Sequence, residues 1–318
     1  MKNPRKYKVG LVQMSMGPEP EANLNAAIEH IHAAARMGAN LVCLPELFET
    51  QYFCQRQDMR LFDLAEAIPG PSTERLTAVA REANVSIIAS LFERRAAGLY
   101  HNTAVTINAQ GKIAGVYRKM HIPDDPLYFE KYYFAPGDLG FQSVELECGR
   151  VGTLVCWDQW YPEAARVTAL QGAEVLFYPT AIGWHPAEKA EFGEAQYDAW
   201  QTIQRAHAIA NGVYVAAVNR VGLEHGEVQG QRTEGPGIEF WGGSFLADPF
   251  GRVIAKASHN KEEILIGEID LGLIEDTRRN WPFLRDRRID AYAPITRRFL
   301  DPVALMDNDD LSEIGETR

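Results

Sequence analysis

A basic excess is missing from this sequence: 32 Lys and Arg stand against 43 Asp and Glu, a formal charge of −11 over 318 residues. Without a basic face to displace counterions from a phosphate backbone, nucleic acid is excluded as the main partner. No apolar run approaches the roughly 20 residues that a membrane-spanning helix needs, so no membrane partner is expected either. Lys2, Arg5, Lys6 and Lys8 lead only into residues 9–14, which are too short and interrupted for the apolar stretch of a secretory signal. The expected location is therefore the cytoplasm. Cysteine is scarce, with four residues (Cys43, Cys54, Cys148, Cys156) and no CxxC pair, which argues against a disulfide framework and a zinc knuckle. HExxH, GxSxG, GxGxxG and Walker-type loops are absent as well. His101, His121, His185, His207 and His225 lie too far apart to form a local ligand motif, so neither a metal nor a cofactor is expected.

What is present is a repeating strand and helix pattern. Residues 7–13 form a short β-branched apolar run, and Leu24, Ile28, Ile31 and Ala35 then recur at helical spacing behind Asn23 as N-cap, with Gly38 closing the helix. Residues 41–44 read as a second buried strand. The cycle returns with Ser72 as cap, Leu76, Val79, Ala80 and Ala83 on one face, and an apolar strand at 85–91. Gly-containing turns at 108–111 and 147–150 join the strand pairs 103–107 with 113–117 and 141–146 with 151–155. A helix at 161–171, with Pro162 in its first turn and Gly172 just past its end, precedes a strand at 175–178. A long helix at 190–210 and strands at 213–218, 244–247, 253–256 and 264–269 complete the pattern. No Pro/Gly/Ser-rich join interrupts it, so one α/β domain is expected over 5–292, with 293–318 as an extension or tail. The Arg-rich stretch 277–288 and the acidic stretch 307–313 fit a surface helix and tail, or an extension that crosses onto a neighbouring subunit.

Cys156 ends an apolar strand and leads through Trp157-Asp158-Gln159 into the next helix. Such a turn exposes a nucleophile near helix N–H groups, which lower a thiol pKa and stabilise developing negative charge. Glu46 follows Leu44-Pro45 at the C-terminal edge of a buried strand, where α/β sheets place their ligands and where a carboxylate can act as general base. Lys119 ends the strand before Met120-His121 and could bind an oxyanion. Each residue alone is more often structural: a buried Cys, a capping carboxylate, a solvated lysine.

Together, Leu44-Pro45-Glu46, Tyr117-Arg118-Lys119 and Val155-Cys156-Trp157-Asp158 resemble the three ordered signature segments of the nitrilase (carbon-nitrogen hydrolase) superfamily. The resemblance runs from Tyr7 to about Tyr292. It implies a four-layer αββα sandwich of two mixed β-sheets flanked by helices, a Glu46-Lys119-Cys156 triad, and a second glutamate at Glu130. Residues 118–126, 156–163 and 281–288 are similar to N-carbamoylputrescine amidohydrolases, with Phe129 where tyrosine is common and Ile289 where proline is common. That resemblance implies a small substrate with a free ammonium, held by a carboxylate among Asp125, Glu188 and Glu191. Tyr128, Trp157 and Trp184 would supply apolar walls, and the Trp157 N–H would assist Lys119 at the oxyanion. It also implies a homodimer that builds a larger homo-oligomer, such as an octamer. A β-ureidopropionase, ω-amidase or nitrilase, and a non-catalytic protein of the same fold, are the alternatives.

Overall fold

The computed structural model describes residues 6–228 and 230–300. The start of the expected domain at residue 5, and residues 301–318 of the expected tail with its acidic stretch, lie outside the described residues.

Strand alternation decides the layering. Along Lys6–Gln13, Val9 and Leu11 face one way and join Cys43, Ile88, Val151, Phe177, Ala216 and Leu246 in a core shared by two sheets. Val12, on the opposite face, packs with Val42 and Ile87 against Leu24, Ala27 and Ile31 of the helix Pro20–Arg36 and Leu76 and Val79 of the helix Pro71–Ala83. On the far side, Leu176, Tyr178, Val215 and Ala217 pack against Ala164, Ala165 and Ala169 of the helix Pro162–Leu170 and Trp200 and Ala208 of the helix Lys189–Asn211. The result is the expected αββα sandwich.

The first sheet runs Glu263–Asp270, Lys6–Gln13, Leu41–Cys43, Ser86–Ala96, Leu99–Ile107, Ile113–Arg118. Its pairs are parallel at Lys6–Gln13 with Leu41–Cys43 and at Leu41–Cys43 with Ser86–Ala96, and antiparallel elsewhere. The second runs Val253–Lys256, Phe245–Ala247, Tyr214–Asn219, Val175–Thr180, Arg150–Thr153, Ser143–Glu145. Both parallel sets end near the same edge, where the loops after Cys43 and Thr153 meet. A third, three-stranded sheet (Val221–Glu224, Ile238–Trp241, Gly183–Trp184) has no counterpart in the sequence pattern, because its strands are short and separated by glycines.

Two helix starts differ from expectation. The first helix begins at Pro20 rather than behind Asn23, whose side chain instead ties the Gly17 N–H and carbonyl to the Glu49 carbonyl. The second starts after Gly70, where the Thr73 hydroxyl, not Ser72, closes the turn. In the first case the side chain found a tertiary partner that spacing does not reveal, and in the second a local contact three residues apart closes the turn. After the helix Leu271–Asn280, residues 281–300 run over the surface with Trp281, Phe283, Ile289, Ile295 and Phe299 exposed. No helix among the described residues is long and apolar enough to cross a membrane.

Candidate active site

The edge shared by the two sheets gathers four side chains from separate loops. Glu46 lies three residues past the strand Leu41–Cys43, and Leu47 after it takes φ +48°. Lys119 directly follows Ile113–Arg118, and its N–H donates to the Asn102 carbonyl at 2.9 Å. Glu130 opens the short helix Glu130–Tyr133. Cys156 opens the 3-10 turn Cys156–Trp160 with φ +43°. A left-handed backbone at a residue with a side chain costs on the order of 1 kcal/mol, so the surrounding packing must hold both Leu47 and Cys156 in place.

The Lys119 ammonium bridges two carboxylates, donating to Glu46 Oε1 at 2.8 Å and Glu130 Oε2 at 2.6 Å. All three side chains are essentially out of solvent. Asn102 Nδ2 donates to the same Glu46 oxygen at 2.7 Å, and the Tyr52 hydroxyl donates to Glu130 Oε1 at 2.7 Å. Glu46 Oε2 has no hydrogen-bond partner, although it is buried. The Cys156 sulfur points toward the Ala181 carbonyl at 3.7 Å.

Burial pushes the Cys156 thiol well above its usual pKa, the Glu46 charge pushes it further, and Lys119 opposes both. The helix-end effect expected from the sequence is therefore outweighed by burial. Burial acts against the Lys119 ammonium, yet Glu130 and Glu46 hold its pKa well above the ordinary value. Burial raises Glu130 to about 7 against the pull of Lys119. One cation thus sits between two buried carboxylates, and Glu130 is the one whose pKa burial raises.

Cys156 and Glu130 line a cavity of about 590 Å³. Asp125, Tyr128, Trp157 and Glu188, four of the candidate substrate-binding residues, stand in its wall. Trp184 does not: its ring packs behind Trp241 at 5.5 Å between centroids, with its N–H donated to the Gly193 carbonyl, and Trp160 and Trp241 form the aromatic wall instead. Glu191 is also outside the wall, exposed on the helix Lys189–Asn211. Glu188, Gln196 and Ala199 follow a helical stripe that faces the cavity, and Glu191 sits one residue, about 100°, off it. Sequence reasoning also missed Asn102 and Tyr52, for which no motif exists. For Trp241, the available signal was an aromatic pair, Phe240-Trp241, running into Gly242-Gly243.

The two-sheet sandwich with this cluster of buried groups at its edge is the fold of a carbon-nitrogen hydrolase, and residues 8–279 match the carbon-nitrogen hydrolase family, to which the chain belongs. The protein is an amidohydrolase of the nitrilase superfamily. It is 42% identical over 289 residues to the N-carbamoylputrescine amidase of Solanum lycopersicum, covering 91% of this chain and 94% of that one. A citrullinase of Francisella tularensis strain SCHU S4 is 39% identical over 293 residues, with 92% and 99% covered. The crystal structure of a carbon-nitrogen hydrolase from Helicobacter pylori G27 superposes with a TM-score of 0.88 at 47% identity, covering 93% of this chain and all of that one.

Proposed function

We propose that the protein hydrolyses the ureido group of N-carbamoylputrescine to putrescine, CO2 and ammonia, a step of polyamine synthesis. Glu46, through its free Oε2, takes the Cys156 proton as sulfur attacks the ureido carbon, and Lys119 with the Trp157 N–H holds the oxyanion. The C–N bond breaks, and Glu46 returns the proton to the leaving nitrogen. Water, deprotonated by the same carboxylate, then attacks the S-carbamoyl intermediate and frees the sulfur, which regains its proton from Glu46, and the released carbamic acid breaks its remaining C–N bond to give CO2 and the amine. Glu130 and Tyr52 keep Lys119 between its two carboxylates.

One observation carries the substrate choice: the cavity wall presents Asp125 and Glu188 and, among the described residues, no Lys or Arg. A substrate ammonium finds a carboxylate there, while a substrate carboxylate finds no guanidinium or ammonium. Citrulline and N-carbamoyl-β-alanine each carry a carboxylate, which would face the Asp125 and Glu188 carboxylates with no cation beside it. Ammonia release should therefore favour N-carbamoylputrescine over both by about 100-fold or more in kcat/KM. Equal or faster turnover of either carboxylate substrate would rule out this reading.

Two further parts of the proposal are a cytoplasmic location and a homodimer built into a larger homo-oligomer. The exposed Trp281, Phe283, Ile289, Ile295 and Phe299 on residues 281–300 support assembly, since a monomer would leave these rings and branched chains in water. Light scattering on the purified protein is expected to give a mass well above one chain, and a monomer would remove this part.

A further inference from the structure

Far along the sequence from Glu46, a second buried ion pair reaches back to it. Arg220, fully buried, follows the strand Tyr214–Asn219, and Glu224, 2% exposed, ends the strand Val221–Glu224. Arg220 Nη1 donates to both Glu224 oxygens, at 2.8 and 3.1 Å, and to the Thr50 carbonyl at 3.1 Å. Its Nη2 donates to the Glu46 carbonyl at 2.5 Å and to the Leu47 carbonyl at 3.0 Å. Glu224 Oε2 in turn accepts the Tyr52 N–H at 2.6 Å. The pair thus grips the main chain at residues 46, 47, 50 and 52. One end of that segment carries the Glu46 carboxylate, and the other carries the hydroxyl that holds Glu130.

A buried ion pair is an expensive way to fix a loop. Desolvating it costs several kcal/mol, and apolar packing of the same volume is often as stable. What a planar guanidinium adds is direction, because its fork fixes several carbonyls in one geometry. Here it holds Leu47 at φ +48°, a backbone state that an unclamped leucine would leave. The neighbouring Asn219 does the same for the other wall: its amide donates to the Ile182 and Gly242 carbonyls, and its oxygen accepts the Ile182 N–H, one residue from the Ala181 carbonyl that faces Cys156.

We infer that Arg220 and Glu224 are positioning residues for the reaction, a clamp that sets Glu46 and, through Tyr52, Glu130 against Lys119. This rests on Cys156 and Glu46 acting as nucleophile and base. Arg220→Lys keeps the charge opposite Glu224 but loses the fork onto the Glu46 and Leu47 carbonyls. Glu224→Gln keeps the side-chain volume and an acceptor for Tyr52 but weakens the grip on Arg220. Because neither residue lines the substrate cavity, each variant should lower kcat by about 10- to 100-fold, the cost of an ångström-scale misplacement, with KM within about threefold. Alkylation of Cys156 by iodoacetamide at pH 7.5 should slow by about 10-fold or more, reporting the proton transfer without substrate.

Thermal melts run alongside separate a folded variant from a collapsed one. Wild-type kcat and alkylation rate in both variants, or loss of the cooperative melt in both, would overturn the inference, since either leaves the pair with a structural role only. Absence of a fast-reacting Cys156 in the wild-type enzyme would instead refute the mechanism on which it rests.

Discussion

Replacing Cys156 by alanine is expected to lower turnover by at least about 10⁴-fold while the protein still melts cooperatively within a few degrees of wild type. No other described thiol can take its place. Cys43 and Cys54 are sealed from solvent, and burial pushes Cys148 up to about 12. Only Cys156 stands in the wall of the cavity with a base and a cation acting on it. The substitution removes one sulfur that makes only a long contact to the Ala181 carbonyl, so its stability cost should stay within about 1.5 kcal/mol. Ammonia release gives the first half of the result and a thermal melt the second. Iodoacetamide should label one thiol rapidly in the wild-type protein and none in the variant. Retained turnover in the alanine variant would end the thiol mechanism.

The second large effect is expected at Lys119, where function and stability are joined. Lys119→Met keeps the length of the side chain and removes the charge, so Glu46 and Glu130 face each other in a dry site. Activity should fall by about 10³-fold or more with the loss of the oxyanion cation. Stability should fall by about 3–5 kcal/mol near neutral pH, because breaking one side of a buried pair leaves the other side uncompensated.

That loss should depend on pH in a definite direction. In the variant, burial acts on Glu130 without the opposing pull of Lys119, and with Lys119 present it already raises that carboxyl from 4.5 to about 7. A raised acid contributes stability that is complete below the unfolded value and is lost as pH rises through the folded one. The variant should therefore approach wild-type stability near pH 4.5 and fall progressively behind it toward pH 8. Denaturant melts at several pH values measure this, and a pH-independent difference would show that the two carboxylates are not as dry or as close as the structure places them.

How far the sequence could be read depends on whether a feature repeats locally. The strand at 175–178 extends only to Thr180, and the helix at 190–210 gains one residue at each end, because apolar alternation and helical stripes are properties of neighbours in the chain. The triad was legible for another reason: Glu46, Lys119 and Cys156 sit in short ordered segments, and the structure does bring them to one edge. Trp184 and Glu191 stand outside the wall because which aromatic ring or acid faces a cavity depends on which face a helix turns to it, with one residue changing that by about 100°, and on a third sheet that the pattern does not announce.

By itself, then, the sequence determined most of the strands and helices of the two large sheets and their flanking layers, and the three ordered segments that carry Glu46, Lys119 and Cys156, since these follow from periodicity or from the family resemblance of motifs a few residues long. Only the tertiary structure decided which oxygen of Glu46 stays free, that Asn102 and Tyr52 fasten the two carboxylates, and that Arg220 clamps a loop 174 residues away. It also decided that burial holds the Cys156 thiol well above its usual pKa. These outcomes depend on burial and on contacts between distant segments, and a low dielectric and a hydrogen bond across the fold leave no periodic trace in the chain.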